Sequence, residues 1–113
     1  MKLNEEGQLL RIFIGESDTH EGRPLYEAIV LKAREMHMAG ATVLRGIMGF
    51  GAASHLHTAK ILRLSEDMPM IIEIVDNKTN IDLMLPFLDE VVKEGLITLE
   101  NVRIMKYRHG GSK

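Results

Sequence analysis

Met70-Ile71-Ile72-Glu73-Ile74-Val75 carries apolar side chains on both sides of a strand. Side chains alternate across a strand, so Met70, Ile72 and Ile74 face one way and Ile71, Glu73 and Val75 the other. Residues 8–15 repeat the pattern, with Leu10, Ile12 and Ile14 against Leu9, Arg11 and Phe13. Near the C-terminus Val102 and Ile104 stand against Arg103, Met105 and Tyr107. A sheet with one wet face would read polar at alternate positions. These strands need cover on both faces. Helices of the same chain can cover one; the other is expected to pack against further subunits.

The order of elements follows from periodicity and punctuation. Residues 8–15 read as a strand closed by Gly15, and residues 16–22 as a polar loop. Pro24 suits the first position of a helix, in which Leu25, Ile29, Ala33 and Met36 recur at helical spacing. Gly40 is placed for a left-handed C-terminal cap. Residues 42–50 form a second strand, residues 52–58 a loop, residues 60–64 a short strand and residues 70–75 a stronger one. Thr79 is placed to cap a second helix with Ile81, Met84, Leu85, Leu88, Val91 and Val92 on one stripe. Pro86 interrupts its backbone bonding, and Gly95 ends it. Residues 97–107 supply the last strand, with a break expected near Asn101. The order β-α-β-β-α-β predicts an α+β, ferredoxin-like sandwich: an antiparallel sheet with both helices on one face.

Length and composition narrow the function. The 113 residues make a single domain, residues 1–113, in which residues 1–7 and 108–113 are expected to be flexible ends. No cysteine is present, which excludes disulfide scaffolds, thiolate zinc sites and thiol catalysis. The formal charge of -2 gives no broad attraction to nucleic acid or anionic lipid. No apolar run approaches the ~18–20 residues of a membrane span, and the polar start of the chain lacks a leader pattern. A cytoplasmic protein is expected.

Arg11, Arg45, Arg63 and Arg103, with Glu73, are lone charges in otherwise apolar strands and are expected on one face. Rim positions, where arginine stems cover apolar surface, account for them. Convergence on an anion between subunits is the alternative. Gly46, Gly49 and Gly51 cluster at the end of the second strand, where bare backbone N–H groups can approach a ligand. Neither GxxxxGK[ST] nor a helix-opening GxGxxG is present.

Gly40-Ala41-Thr42-Val43, followed by Gly49-Phe50-Gly51, resembles the PII signal-transduction proteins. The likeness is closer to the small PII-like family of uncharacterised proteins. It runs through Ile12-Phe13-Ile14-Gly15-Glu16, Gly22-Arg23-Pro24-Leu25-Tyr26-Glu27, Arg45-Gly46-Ile47-Met48-Gly49-Phe50-Gly51 and Ile74-Val75-Asp76. It covers roughly residues 9–107. The resemblance implies a homotrimer that binds an adenine nucleotide (AMP, ADP or ATP) in clefts between subunits. It also implies signalling through a loop, about residues 52–69, to a protein partner; membrane transport proteins are the partners it points to. Carried over by position, Gly46, Gly49, Phe50, Gly51, Ile74, Val75 and Arg103 are the nucleotide-site residues, and the PII-like pattern adds Arg45, with Glu16 and Arg23 beside it. The sequence departs from PII in three places. The spacing from Val43 to Gly49 is one residue longer, residues 52–69 contain no tyrosine, and Lys93-Glu94-Gly95-Leu96 replaces the glycine-rich phosphate loop. That last change leaves open how many phosphates the site takes.

No nucleophile–base pair is apparent, so regulation rather than catalysis is expected. Met48-Gly49-Phe50-Gly51 echoes an RNA-recognition motif, but that motif lies on a third strand among further aromatics. Here Ala52-Ala53-Ser54 follows, and no nucleic-acid partner is expected. The alternative function is a metal-binding trimer using His55 and His57, which share a face if extended.

Overall fold

The computed structural model describes residues 5–47 and 68–108. Its elements are β1 (Glu5–Gly15), β2 (Thr19–His20), β3 (Arg23–Pro24), α1 (Leu25–Glu35), β4 (Thr42–Arg45), β5 (Pro69–Asp76), α2 (Lys78–Val91) and β6 (Leu96–Ile104). The four long strands form one antiparallel sheet in the order β4-β5-β1-β6. This is the expected ferredoxin-like arrangement. Leu10, Ile12 and Ile14 of β1 and Met70, Ile72 and Ile74 of β5 are buried with Leu25, Ile29 and Ala33 of α1 and Ile81, Met84, Leu88 and Val91 of α2. The register pairs Ile12 with Ile72 and Leu10 with Ile74, so both strands turn the same residues to the helices.

Several local readings shift. β1 begins at Glu5, and Glu5, Glu6 and Gly7 pair with Ile104, Arg103 and Val102, so these three belong to the sheet rather than to a flexible end. Residues 19–24, of which 19–22 were expected as loop, form a small hairpin whose turn residues Glu21 and Gly22 have φ of 52° and 82°. Two positive φ values in a two-residue turn suit the twist of a hairpin. Pro24 is the residue before α1, not its first residue. The left-handed residue after α1 is His37 (φ 61°), not Gly40. His37 N–H donates to the Arg34 carbonyl and Met38 N–H to the Ala33 carbonyl, the paired bonds of a Schellman cap.

Asn77, not Thr79, caps α2: its side chain accepts from Asn80 N–H at 2.8 Å. Pro86 lies inside α2, which continues through it. β6 shows no break at Asn101, which pairs with Gln8, and the strand stops at Ile104 rather than Tyr107. The short strand expected over residues 60–64 lies outside the described residues, as do residues 48–50 at the end of the expected second strand.

Asp76 is a charged residue in the core, 2% exposed. Its Oδ1 accepts from Asn77 N–H (2.7 Å) and Asn80 Nδ2 (2.9 Å), and its Oδ2 from Ala39 N–H (2.8 Å). Asp76→Asn puts an NH2 group where a donor already points. We expect it to cost about 1–3 kcal/mol, as for a lost bond to a charged group, measured by urea unfolding. Gly95 turns the chain from α2 into β6 with φ 156°, and a Cβ there would stand 2.5 Å from the Phe13 carbonyl oxygen. Gly95→Ala should destabilise by roughly 1–3 kcal/mol through backbone strain. An unfolding midpoint equal to that of the unsubstituted chain would contradict either expectation.

Candidate functional site

The helices cover one face of the sheet. The other carries Leu9, Arg11 and Phe13 of β1, Ile71, Glu73 and Val75 of β5, Thr42 and Leu44 of β4, and the even-numbered residues of β6, by their pairing. Arg11 Nε donates to Glu73 Oε2 at 2.8 Å, and Arg11 Nη1 lies 3.6 Å from Glu100 Oε1. The Glu73 hydrogen bond holds the Arg11 guanidinium above its ordinary pKa. The lone charge of the sequence is thus one member of a cross-strand pair among apolar neighbours.

The arginines do not share this face. Arg45 pairs in register with Met70 and Arg103 with Glu6, which puts both on the helix side of the sheet. Residue parity along a strand fixes the face only when the register is known, and here it separates Arg11 and Glu73 from the other two. Arg63 lies outside the described residues.

Two regions gather the predicted residues. At the end of β4, Arg45 Nη2 and Nε meet Glu16 Oε1 at 3.1 and 3.2 Å. Glu16 N–H donates to the Met68 carbonyl (2.8 Å), and Gly46 N–H to the Pro69 carbonyl (2.7 Å). A Cβ on Gly46 would sit 3.2 Å from the Pro69 ring, so glycine keeps the two segments close. Arg45, Gly46 and Glu16 therefore clip together the two chain segments flanking residues 48–67.

Near the start of β4 lies an open cavity of about 330 Å³ on the helix-free face. Its walls are the turn Ala39-Gly40-Ala41-Thr42, Glu73 and Val75 of β5, and Ile104, Lys106 and Tyr107. Val75, 37% exposed, lines it, whereas Ile74 points into the core and is fully buried. Arg103 does not line it. The turn is fixed on both sides of Ala39: its N–H is held by Asp76, and its carbonyl accepts from the Tyr107 hydroxyl at 3.0 Å. Gly49, Phe50 and Gly51, like His55 and His57, lie outside the described residues.

Thr42, Lys106 and Tyr107 were not singled out from the sequence. Thr42 stands in the Gly-x-Thr-Val motif and could have been found there. Lys106 and Tyr107 continue the pattern of the last strand, and nothing in that pattern shows the chain leaving the ladder after Ile104.

A second cavity, about 470 Å³, opens between the hairpin and the two helices. Lys32 Nζ lies 5.3 Å from the centre of the Phe87 ring, and His20 meets the same ring edge-on at 6.1 Å. Arg23 lines it with Glu21, Glu35 and Glu90, so charges of both signs border it. Among the described residues no group of three or more His, Asp or Glu side chains could hold a metal ion. No helix among them is long and apolar enough to cross a membrane.

Solved structures with this fold include CPII, a nitrogen regulatory PII-like protein from Thiomonas intermedia K12, bound to ADP, AMP and bicarbonate. It matches with a TM-score of 0.64 and 13% identity, over 90% of this chain and 91% of that one. CPII bound to ADP and bicarbonate matches with a TM-score of 0.65 at the same identity and coverage. A UPF0166 protein of Aquifex aeolicus (strain VF5) is 37% identical over 100 residues, 87% of this chain and 92% of its own. A UPF0166 protein of Methanocaldococcus jannaschii is 37% identical over 102 residues, 89% of this chain and 94% of its own. The model of the DUF190 family, described as "Uncharacterized ACR, COG1993", matches residues 7–104. With its PII-like fold and these relatives, the chain belongs to the DUF190 (UPF0166) family.

Proposed function

We propose that this chain is a PII-like regulatory protein, a single domain that assembles as a homotrimer and takes an adenine nucleotide in clefts between subunits. The nucleotide state is passed through the segment at about residues 52–69 to a protein partner, and the family resemblance points to a membrane transport protein in a cytoplasmic regulatory role. One observation carries this reading. Two motifs distant in sequence, Gly40-Ala41-Thr42-Val43 and Ile74-Val75-Asp76, meet in one cavity of ligand size, through Gly40, Thr42 and Val75. The cavity lies on the face that the helices leave uncovered, so its missing wall is the place for a neighbouring subunit. CPII carries ADP and AMP on the same fold.

The site suits binding better than chemistry. Glu73, the carboxylate in its lining, is engaged by Arg11. Residues 92–95 are all that separates α2 from β6, too short a connection to wrap a chain of phosphates. This favours AMP or ADP over ATP. Arg45 and Gly46 then stand on the phosphate side of the cleft, Arg103 of the partner subunit faces phosphate, and Gly49, Phe50 and Gly51 keep the place near base and ribose that the resemblance implies. Arg45 stands three strand residues beyond Thr42 along β4, about 10 Å at ~3.3 Å per residue, and Gly46 follows it.

Titration calorimetry with AMP, ADP, ATP and GTP tests the reading. AMP and ADP should saturate at one per subunit, more tightly than ATP, and GTP should give no heat. A Cβ on Gly40 meets nothing within 4 Å. Gly40→Val therefore adds bulk at the lining from an unobstructed Cβ, and should weaken binding at least about tenfold, roughly 1.4 kcal/mol, at an unchanged melting temperature. Silence with every adenine nucleotide would remove the function. Light scattering should give the mass of three 12.7 kDa chains; a monomer would remove the cleft.

A further inference from the structure

We infer that Tyr107 is a positioning residue of this cavity, a latch that fastens the C-terminal segment to the turn between α1 and β4. The inference rests on the nucleotide reading above and adds a residue to it. After Ile104 the chain leaves the β1 ladder. Residues 105–108 then carry Tyr107 from beside β6, at one edge of the sheet, to Ala39, just ahead of β4 at the other edge. Ile104, Lys106 and Tyr107 form one wall of the cavity; the turn from Ala39 to Thr42 forms another. The hydroxyl of Tyr107 on the Ala39 carbonyl, 3.0 Å, joins the two walls.

The two bonds on Ala39 are unequal in surroundings. Asp76 on the N–H side is 2% exposed and its other oxygen is held by Asn77 and Asn80, so that carboxylate cannot turn away. Tyr107 on the carbonyl side is 40% exposed, where water competes for the same bond. Asp76 is thus the fixed anchor of the turn and Tyr107 the fastening that can open. With both bonds made, the peptides on either side of Ala39 are held and the width of the cavity is set. With the latch open, the wall from Ile104 to Tyr107 is free to move off, and a ligand must first close it. A ligand that binds the closed cavity loses affinity in proportion to the closed fraction.

Tyr107→Phe removes the hydroxyl and keeps the ring. Two readouts on the assembled protein decide the inference: calorimetric titration with ADP, and NMR backbone order parameters of residues 105–107 in the nucleotide-free protein. The expected result is ADP affinity about three- to tenfold weaker, the loss of one neutral hydrogen bond, together with lower order parameters along residues 105–107. Weaker binding with unchanged order parameters would mean that the hydroxyl meets the ligand itself, and overturns the latch. Lower order parameters with unchanged affinity overturn its role in the site, and no change in either overturns both. If the unsubstituted protein binds no ADP, the nucleotide reading falls and takes the assignment with it. That outcome is distinct from one in which the parent binds and Tyr107→Phe binds equally well.

Discussion

A carboxylate buried without partners costs several kcal/mol, so its surroundings have to be built around it. Asp76 is that group here. It accepts from the start of α2 through Asn77 and Asn80, and from the α1–β4 turn through Ala39, while standing as the last residue of β5. Two connections, β5–α2 and α1–β4, are therefore fixed by one side chain. The residue before it, Val75, must face away from the helices, because Asp76 and Ile74 face toward them. The lining of the cavity follows from the burial of its neighbour.

The sheet has a second asymmetry. Ile72 and Ile74 are sealed under helices, but Ile71, Leu44 and Leu96 are not, and Leu44 and Leu96 are largely exposed. Apolar surface left in water forgoes about 25 cal/mol per Å². The charge within this face is held in the Arg11–Glu73 pair, with Glu100 behind it. A paired charge can meet a second surface at far less cost than a single one. The face thus has the composition of an interface core: apolar side chains around one satisfied ion pair.

Much of this was legible beforehand. The alternation in residues 70–75 and the stripe Ile81, Met84, Leu88 and Val91 name their own buried side, because burial is what writes such patterns. The βαββαβ order and its antiparallel sheet followed. Boundaries were less legible, since Asn77 and Thr79 are both good caps and the end of β5 at Asp76 decides between them. Gly40 was the natural left-handed residue by type, yet helix α1 ends sooner and His37 takes that conformation. The faces of Arg45 and Arg103 were misread because parity must be counted from a register that no single strand contains. Tyr107 was invisible as a site residue: a chain that leaves a ladder keeps the composition it had inside it.

The cavity and the clip at Arg45 sit at opposite ends of the same four-residue strand, β4. That spacing limits how a ligand could act on the segment beyond. Binding alone moves nothing; a ligand shifts an equilibrium only by the difference in its contacts with two states. Contacts confined to Gly40, Thr42 and Val75 would touch a turn already pinned by Asp76 and would be equal in both states. A ligand long enough to reach Gly46 meets the backbone that bonds to Pro69, and the Glu16–Arg45 pair beside it is partly exposed and open to competition by an anion. The base of a nucleotide would then supply affinity at the start of β4, and its phosphates would supply the difference between states at the end.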